Sequence, residues 1–175
     1  MNLELKFSKQ AEEVFRSYRL SVDKQLVALA PVSLKRLDAA YERLSSTNPE
    51  SWNQAVTSCR RVFKEISNSL YDGPLDKPYT TKSGKPLDVS GDNYLNRLYA
   101  IVDKIAASRS ARHLVGSNVM YAVDFIENLH NAQCRGVHEL EDQLTYVEAR
   151  ACILHTYMLL GDISMLVDIS AKNKN

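Results

Sequence analysis

Apolar residues recur at alternating steps of three and four in six separate segments of this chain, and this periodicity constrains the fold more than any other feature. Such a repeat puts one apolar residue per turn on the same face of an α-helix, and that face has to pack against other helices. The pattern predicts an all-α fold, a single bundle of about six helices over residues 1–175. The length of 175 residues and an apolar content of 45% suit one globular domain with its own core.

The ends of several helices can be predicted from their capping residues. A long first helix is expected over 3–29, long enough to extend from the core toward a partner, and its apolar stripe consists of Phe7, Ala11, Val14, Tyr18 and Val22. Asn48 before Pro49 marks a helix start, because Asn accepts hydrogen bonds from free N–H groups and Pro presets the helical φ. Residues 72–91 hold three of the five prolines and are predicted to form the one long loop, with a candidate for a small hairpin turning at Ser83-Gly84.

The last helix is apolar around most of its circumference. Thr145 and Glu148 stand three residues apart, the spacing of a capping box, at its start. Its main apolar stripe consists of Val147, Ala151, Leu154, Met158, Gly161 and Met165. Since a helix that is apolar nearly all round is stable only when other helices cover it, this C-terminal helix is expected to be buried.

Composition argues against membrane and secreted proteins. No apolar run reaches the roughly 18 residues of a membrane span. The first six residues alternate charged and apolar side chains and do not resemble a signal peptide. Three cysteines at wide spacing favour a reducing compartment over a disulfide framework. We therefore expect a cytoplasmic protein that does not interact with membranes.

Charge is distributed unevenly along the chain, although the total is only +1. Residues 60–112 carry ten basic against six acidic side chains, whereas residues 113–175 carry four against eight. A basic segment of this kind can bind phosphate groups if the fold gathers its side chains on one face. The candidate nucleic-acid-binding residues are Arg60, Arg61, Lys64, Arg109 and Arg112. The alternative interpretation is an ordinary solvated surface.

The segment from His130 to His138 holds the residue types needed for RNA cleavage. The imidazole of His138 can serve as general acid or base toward a 2′-hydroxyl, and Arg135 can stabilise the charge that builds on phosphate. Asn131 can orient either group. In the alternative interpretation, Asn131 and His138 only cap helix ends.

A zinc site is the remaining chemical alternative. Cys134, His138, Cys152 and His155 together offer two sulfurs and two imidazoles, a set that tetrahedral Zn²⁺ accepts. Two of them, however, lie on the apolar last helix, where Cys and His usually serve packing. We therefore predict neither a metal ion nor a cofactor.

The C-terminal half of the chain resembles the HEPN superfamily of bacterial helical domains. The resemblance is carried by Arg135-Gly-Val-His138, the acidic residues after it, and the capping box that opens a very apolar helix. Ala55-Val-Thr-Ser-Cys-Arg-Arg61 and Asn96-Arg-Leu98 are similar to the same group, so the likeness extends over about residues 50–165.

The resemblance implies a helical bundle that is often a homodimer, found in toxin–antitoxin and phage-defence systems. Active members cut RNA without metal, through an Arg, a polar residue, four to six further residues and a His. Asn131 and His138 match this motif, while His130 stands at the Arg position, so Arg135 is the candidate replacement. The expected function is thus RNA binding or cleavage with a degenerate motif. The alternative is a non-catalytic interaction or dimerisation module, or an inhibitor that binds a partner protein such as a cognate antitoxin or effector.

Overall fold

Six helices and one short hairpin make up the part of the chain that the computed structural model describes, which is residues 3–106, 110, 113–121, 124, 125, 128 and 144–172. The helices are α1 (Leu3–Leu29), α2 (Pro31–Leu44), α3 (Pro49–Leu70), α4 (Tyr94–Ile105), α5 (residues 113–121, with 124, 125 and 128 also helical) and α6 (Tyr146–Lys172). Strands β1 (Tyr79–Thr80) and β2 (Pro86–Leu87) pair antiparallel. The predicted all-α bundle is confirmed.

Capping residues fix two of the helix starts as the sequence predicts. Asn48 Oδ1 accepts a hydrogen bond of 3.0 Å from the Glu50 N–H, and Pro49 is the first residue of α3. At the start of α6, the Thr145 N–H donates to Glu148 Oε2 at 2.8 Å, and the Glu148 N–H donates to Thr145 Oγ1 at 3.3 Å. Both arrangements satisfy N–H groups that have no partner within the helix.

The hairpin turns at Gly84, as predicted, and is fixed to the end of α4. Gly84 has a φ of +85°, which a residue with a Cβ rarely adopts. Asp103, near the end of α4, is only 2% exposed and accepts hydrogen bonds from the Tyr79 hydroxyl at 2.9 Å and the Lys82 N–H at 2.8 Å. An isolated two-stranded hairpin is only marginally stable in water, so the contacts with α4 are needed to hold it in place.

Helix α6 occupies the centre of the bundle and packs against α1, α2, α3 and α4. Its inward face is formed by Ala149, Cys152, Ile153, Leu159, Leu160 and Ile163. These side chains meet fully buried residues from the surrounding helices, among them Leu26, Leu37, Phe63 and Leu98. The expectation that the C-terminal helix is buried is therefore confirmed.

The stripe that the sequence singles out on α6 faces the core only in part: Gly161 is buried and Met165 packs against the core, but three other members are exposed. Val147 is 63% exposed, Leu154 46% and Met158 51%. The inward face lies on the other side of the helix, because a helix that is apolar all round offers two faces and the contacts with its neighbours choose one. The window Tyr146–Val167 is long and apolar enough to cross a membrane by length and composition, but half of it is buried inside the bundle.

Helix α1 joins the core with its C-terminal half only. Val22 and Leu26 are buried, whereas Val14 is 68% and Phe15 66% exposed. The helix crosses α6 at Tyr18, whose hydroxyl donates to the Met158 carbonyl at 2.7 Å. The predicted stripe therefore contacts the bundle at its C-terminal end, and at Val14 the helix has already left the core.

Asp162, at this crossing, makes the stability of the bundle sensitive to pH. Burial raises the pKa of its carboxyl group, and hydrogen bonds from Tyr18 and Asn118 offset this only in part. A carboxyl whose pKa is higher in the folded than in the unfolded protein favours folding at low pH, and this contribution is lost as pH rises through the folded pKa. We therefore expect Asp162→Asn, which keeps an acceptor oxygen, to raise the unfolding midpoint at pH 7 and to change it little at pH 3.5.

Urea titrations of both proteins at the two pH values measure this difference. Asp124→Asn, which alters an exposed carboxylate, serves as the control. A variant that is less stable than the parent protein at pH 7 would contradict the prediction.

Candidate nucleic-acid interface

The candidate catalytic residues His130, Asn131, Arg135 and His138 lie outside the described residues, as do Arg109 and Arg112. On the C-terminal side, the described chain resumes at Leu144, which is 5% exposed and belongs to the core. The described part of the predicted interface therefore consists of the basic residues of α3 and the surfaces around α4 and α5.

The three basic residues of α3 occupy different environments. Lys64 Nζ lies 2.6 Å from Asp92 Oδ1, in the turn before α4. The hydrogen bond from Lys64 and its charge lower the pKa of the Asp92 carboxyl, and the charge of Arg60 adds to this effect. Arg61 is exposed. Acidic side chains of the loop thus already offset part of the basic charge that the sequence predicts for this helix.

Arg97 has a structural role that charge counting does not predict. Its side chain is 2% exposed, and Nη1 donates to the carbonyls of Val89 at 2.7 Å and Gly91 at 2.9 Å. The neighbouring Asn96 Nδ2 donates to the Asp88 carbonyl at 2.7 Å. The Asn96-Arg97 pair, one of the motifs behind the HEPN resemblance, therefore fixes the loop that precedes α4.

An open groove lies between the hairpin, α4 and α5, and we call it the hairpin groove. Its volume is about 620 Å³. It is lined by Lys82, Ser83, Tyr99, Asp103, His113, Gly116, Ser117 and Met120. The side chains of His113 and Ser117 are exposed on α5, one turn apart. Imidazole and hydroxyl groups on the same helical face form a surface that can donate hydrogen bonds to phosphate.

The charged groups of the hairpin groove are held by the protein itself. Lys82 Nζ donates at 3.2 Å to the carbonyls of both Lys104 and Ala106, where α4 ends. The Asp103 carboxylate accepts the two hydrogen bonds from the hairpin described above. Among the described residues of the lining, the His113 imidazole, the Ser117 hydroxyl and the aromatic surface of Tyr99 are the groups that we consider for ligand binding.

Tyr99 is positioned by a glycine in the middle of α5. A Cβ on Gly116 would lie 3.2 Å from Tyr99 Cε2, so the missing side chain lets the ring pack directly on the helix. Aromatic rings in an open groove can stack on unpaired bases. The sequence contains nine tyrosines and four histidines, and nothing in it distinguishes Tyr99 or His113 from the rest. A glycine inside a helical repeat was the one available signal of a close helix contact.

The two described members of the zinc alternative serve packing. Cys152 is fully buried beside Cys59, and a hydrogen bond with Cys59 and burial raise the pKa of the Cys152 thiol far above its usual value. His155 instead packs against Tyr121 and Phe125, with ring centroids 5.6 and 5.7 Å away. A thiol that stays protonated is a poor zinc ligand. Among the residues that the structure describes, no group of three His, Cys, Asp or Glu side chains is arranged to hold a metal ion.

Comparisons with known proteins return no match to a family model, to a curated protein or to a solved structure.

Proposed function

We propose that this chain is an HEPN-like RNA-binding protein that takes up single-stranded RNA in the hairpin groove. The observation that carries the proposal is the meeting of the His113 imidazole, the Ser117 hydroxyl and the Tyr99 ring in one open groove of about 620 Å³. Unpaired RNA offers phosphate oxygens for the first two groups and base faces for the third. Arg112 directly precedes His113 in the sequence, and Arg109 comes three residues before Arg112, so two basic residues are close in sequence to a residue that lines the groove.

The proposed chemistry is metal-independent cleavage by the segment that contains Asn131, Arg135 and His138. His138 removes the proton of a 2′-hydroxyl, whose oxygen then attacks the adjacent phosphorus while the 5′-oxygen leaves and takes up a proton. Arg135 stabilises the negative charge on the phosphate, and Asn131 orients the reacting groups. In this proposal His130 contributes a second imidazole at the position of the Arg in active HEPN proteins.

RNA binding is tested by the fluorescence anisotropy of a labelled 20-nucleotide single strand. Arg112→Ala is expected to lower the affinity several-fold and to reduce the slope of log K against log salt by roughly one phosphate contact. Tyr99→Leu is expected to weaken binding without changing that slope, because stacking releases no counterions. Lys9→Ala, on the exposed part of α1, is the control and should bind like the parent protein. Unchanged binding in both Arg112→Ala and Tyr99→Leu would contradict the hairpin groove as the binding site.

Cleavage is tested separately, with total RNA and tRNA in EDTA. The parent protein should produce fragments that end in a 2′,3′-cyclic phosphate. His138→Ala should lower the rate by at least about 100-fold, the usual contribution of a general acid or base. Arg135→Ala should also lower the rate while leaving the thermal midpoint unchanged. RNA that stays intact with the parent protein would overturn the cleavage step and leave binding as the function.

The exposed stripe of α6 favours a second candidate function, a module for protein interaction or homodimer formation. Val147, Leu154 and Met158 place apolar surface on the outside of the central helix. Apolar residues grouped in this way often mark contacts between proteins. Analytical ultracentrifugation of the parent protein and of Leu154→Lys tests this alternative. A dimer that Leu154→Lys converts to a monomer would support it, and a monomeric parent protein would restrict it to partners other than a second copy, such as an antitoxin or effector.

A further inference from the structure

A second cavity lies on another side of the bundle, where α1, α2 and α6 meet, and we call it the three-helix cavity. Its volume is about 580 Å³, within the range of roughly 300–1,000 Å³ that is typical of small-molecule sites. The apolar part is formed by Leu34 and Leu37 of α2, and the latter side chain is 1% exposed. The cavity can thus cover an apolar body of moderate size.

The polar lining of the cavity offers more donors than free acceptors. Asp23 Oδ1 already accepts a hydrogen bond of 2.7 Å from the Tyr157 hydroxyl, and its Oδ2 lies 3.9 Å from Arg19 Nε. The side chain of Arg19 is 71% exposed, so most of its N–H groups remain available. Lys35 is exposed on α2 and has no carboxylate within ion-pair distance among the described residues. Asp38 also lines the cavity, and its side chain is exposed.

Tyr41 adds a neutral donor to the same wall. Burial raises the pKa of its phenol, and the negative charge of Asp23 contributes in the same direction. The hydroxyl therefore stays protonated at neutral pH. The ring extends the apolar surface of the leucines, and the hydroxyl lies close enough to Arg19 and Asp23 to respond to their charges.

We propose that the three-helix cavity binds a small amphipathic acid, with its apolar body on Leu34 and Leu37 and its acidic group between Arg19 and Lys35. Arg19 and Lys35 offer charged N–H donors, and a charge-assisted hydrogen bond to an acidic group is stronger than the bond that a neutral group makes in its place. Of the two carboxylates among the described residues that line the cavity, Asp23 already contacts Tyr157 and Arg19, which leaves Asp38 to an ammonium compound. This site is independent of the RNA-binding proposal and shares no residue with the hairpin groove.

Isothermal titration calorimetry with 2-naphthoate and with its neutral counterpart 2-naphthalenemethanol tests the proposal. We expect one naphthoate per chain, bound at least about tenfold more tightly than the alcohol, which is the contribution of one charge-assisted hydrogen bond. Arg19→Ala and Lys35→Ala should each lower the affinity for naphthoate about tenfold and leave the affinity for the alcohol unchanged. Both residues are exposed, so these variants are expected to fold normally.

Two further variants separate the cavity from other apolar surfaces. Leu34→Trp fills the cavity and should abolish the binding of both compounds, whereas Met158→Lys changes the exposed stripe of α6 and should leave binding intact. Arg16→Ala removes an exposed Arg one turn away on α1 and controls for general charge effects. The proposal is overturned if the parent protein shows no saturable binding, if acid and alcohol bind equally, or if Arg19→Ala and Lys35→Ala bind like Arg16→Ala.

Discussion

Replacing Arg97 by Met is expected to lower the free energy of unfolding by about 3 kcal/mol, a large part of the roughly 5–15 kcal/mol of a typical domain. Met has nearly the length of Arg, so the change removes donors without opening a large cavity. The carbonyls of Val89 and Gly91 then lose the Nη1 group that they share, at 2.7 and 2.9 Å, and the bond to Val89 is buried. A buried carbonyl without a partner, such as that of Val89, costs free energy, and the loop before α4 loses its anchor.

Urea unfolding followed by circular dichroism measures the effect, and Arg61→Met on the exposed side of α3 is the matched control. The control should change stability by less than about 0.5 kcal/mol. Arg97→Lys should be intermediate, because it keeps a charged donor, but its ammonium nitrogen lies nearer the backbone than Nη1 and does not reach the same position. If Arg97→Met is as stable as the control, the loop is held by other contacts, such as that of Asn96 with Asp88, and the role assigned to Arg97 is wrong.

Replacing Gly161 by Val is expected to destabilise the protein by about 2–3 kcal/mol through the crossing of α1 and α6. A Cβ at this position would overlap the Tyr18 hydroxyl and would lie 2.5 Å from Val22 Cγ2, closer than real Cβ contacts. Two opposing effects decide the result for smaller side chains. Gly→Ala gains about 1 kcal/mol of helix propensity, while overpacking costs roughly 1–3 kcal/mol, so Gly161→Ala should be destabilised less than Gly161→Val.

Differential scanning calorimetry of the two variants checks this order. The double variant Gly161→Ala with Tyr18→Phe removes the hydroxyl that the new Cβ would meet, and should recover part of the stability. Tyr18→Phe alone is the reference, since it also loses the hydrogen bond to the Met158 carbonyl. Stability of Gly161→Val equal to that of the parent protein would show that the two helices can move apart at no cost.

The periodicity of apolar residues was sufficient to predict the six helices, and capping chemistry placed some of their ends. Asn48, Pro49, Thr145 and Glu148 act on their own helix within four residues, so their effect depends little on the rest of the fold. The turn at Gly84 was predictable for the same reason, since a positive φ is a local requirement.

The candidate site was less predictable because its groups come from distant parts of the chain. The hairpin groove joins Lys82, Tyr99 and His113, which no motif connects in the sequence. The predicted basic surface also changed, because Arg97 is buried and Lys64 pairs with Asp92. Charge counting treats every basic residue as solvated, and only the positions of their partners show which of them are free to bind phosphate.

The sequence by itself determined that this protein is a helical bundle, because helix period, caps and turns are local properties of the chain. The tertiary structure decided which face of α6 is inside, how far α1 leaves the core, and which polar groups meet in the two cavities. On α6, both faces are apolar, and the inward position of Ile153 and the outward position of Leu154 depend on how α1, α2, α3 and α4 pack around the helix. Such choices depend on contacts between residues far apart in the sequence, and a local pattern carries no information about them.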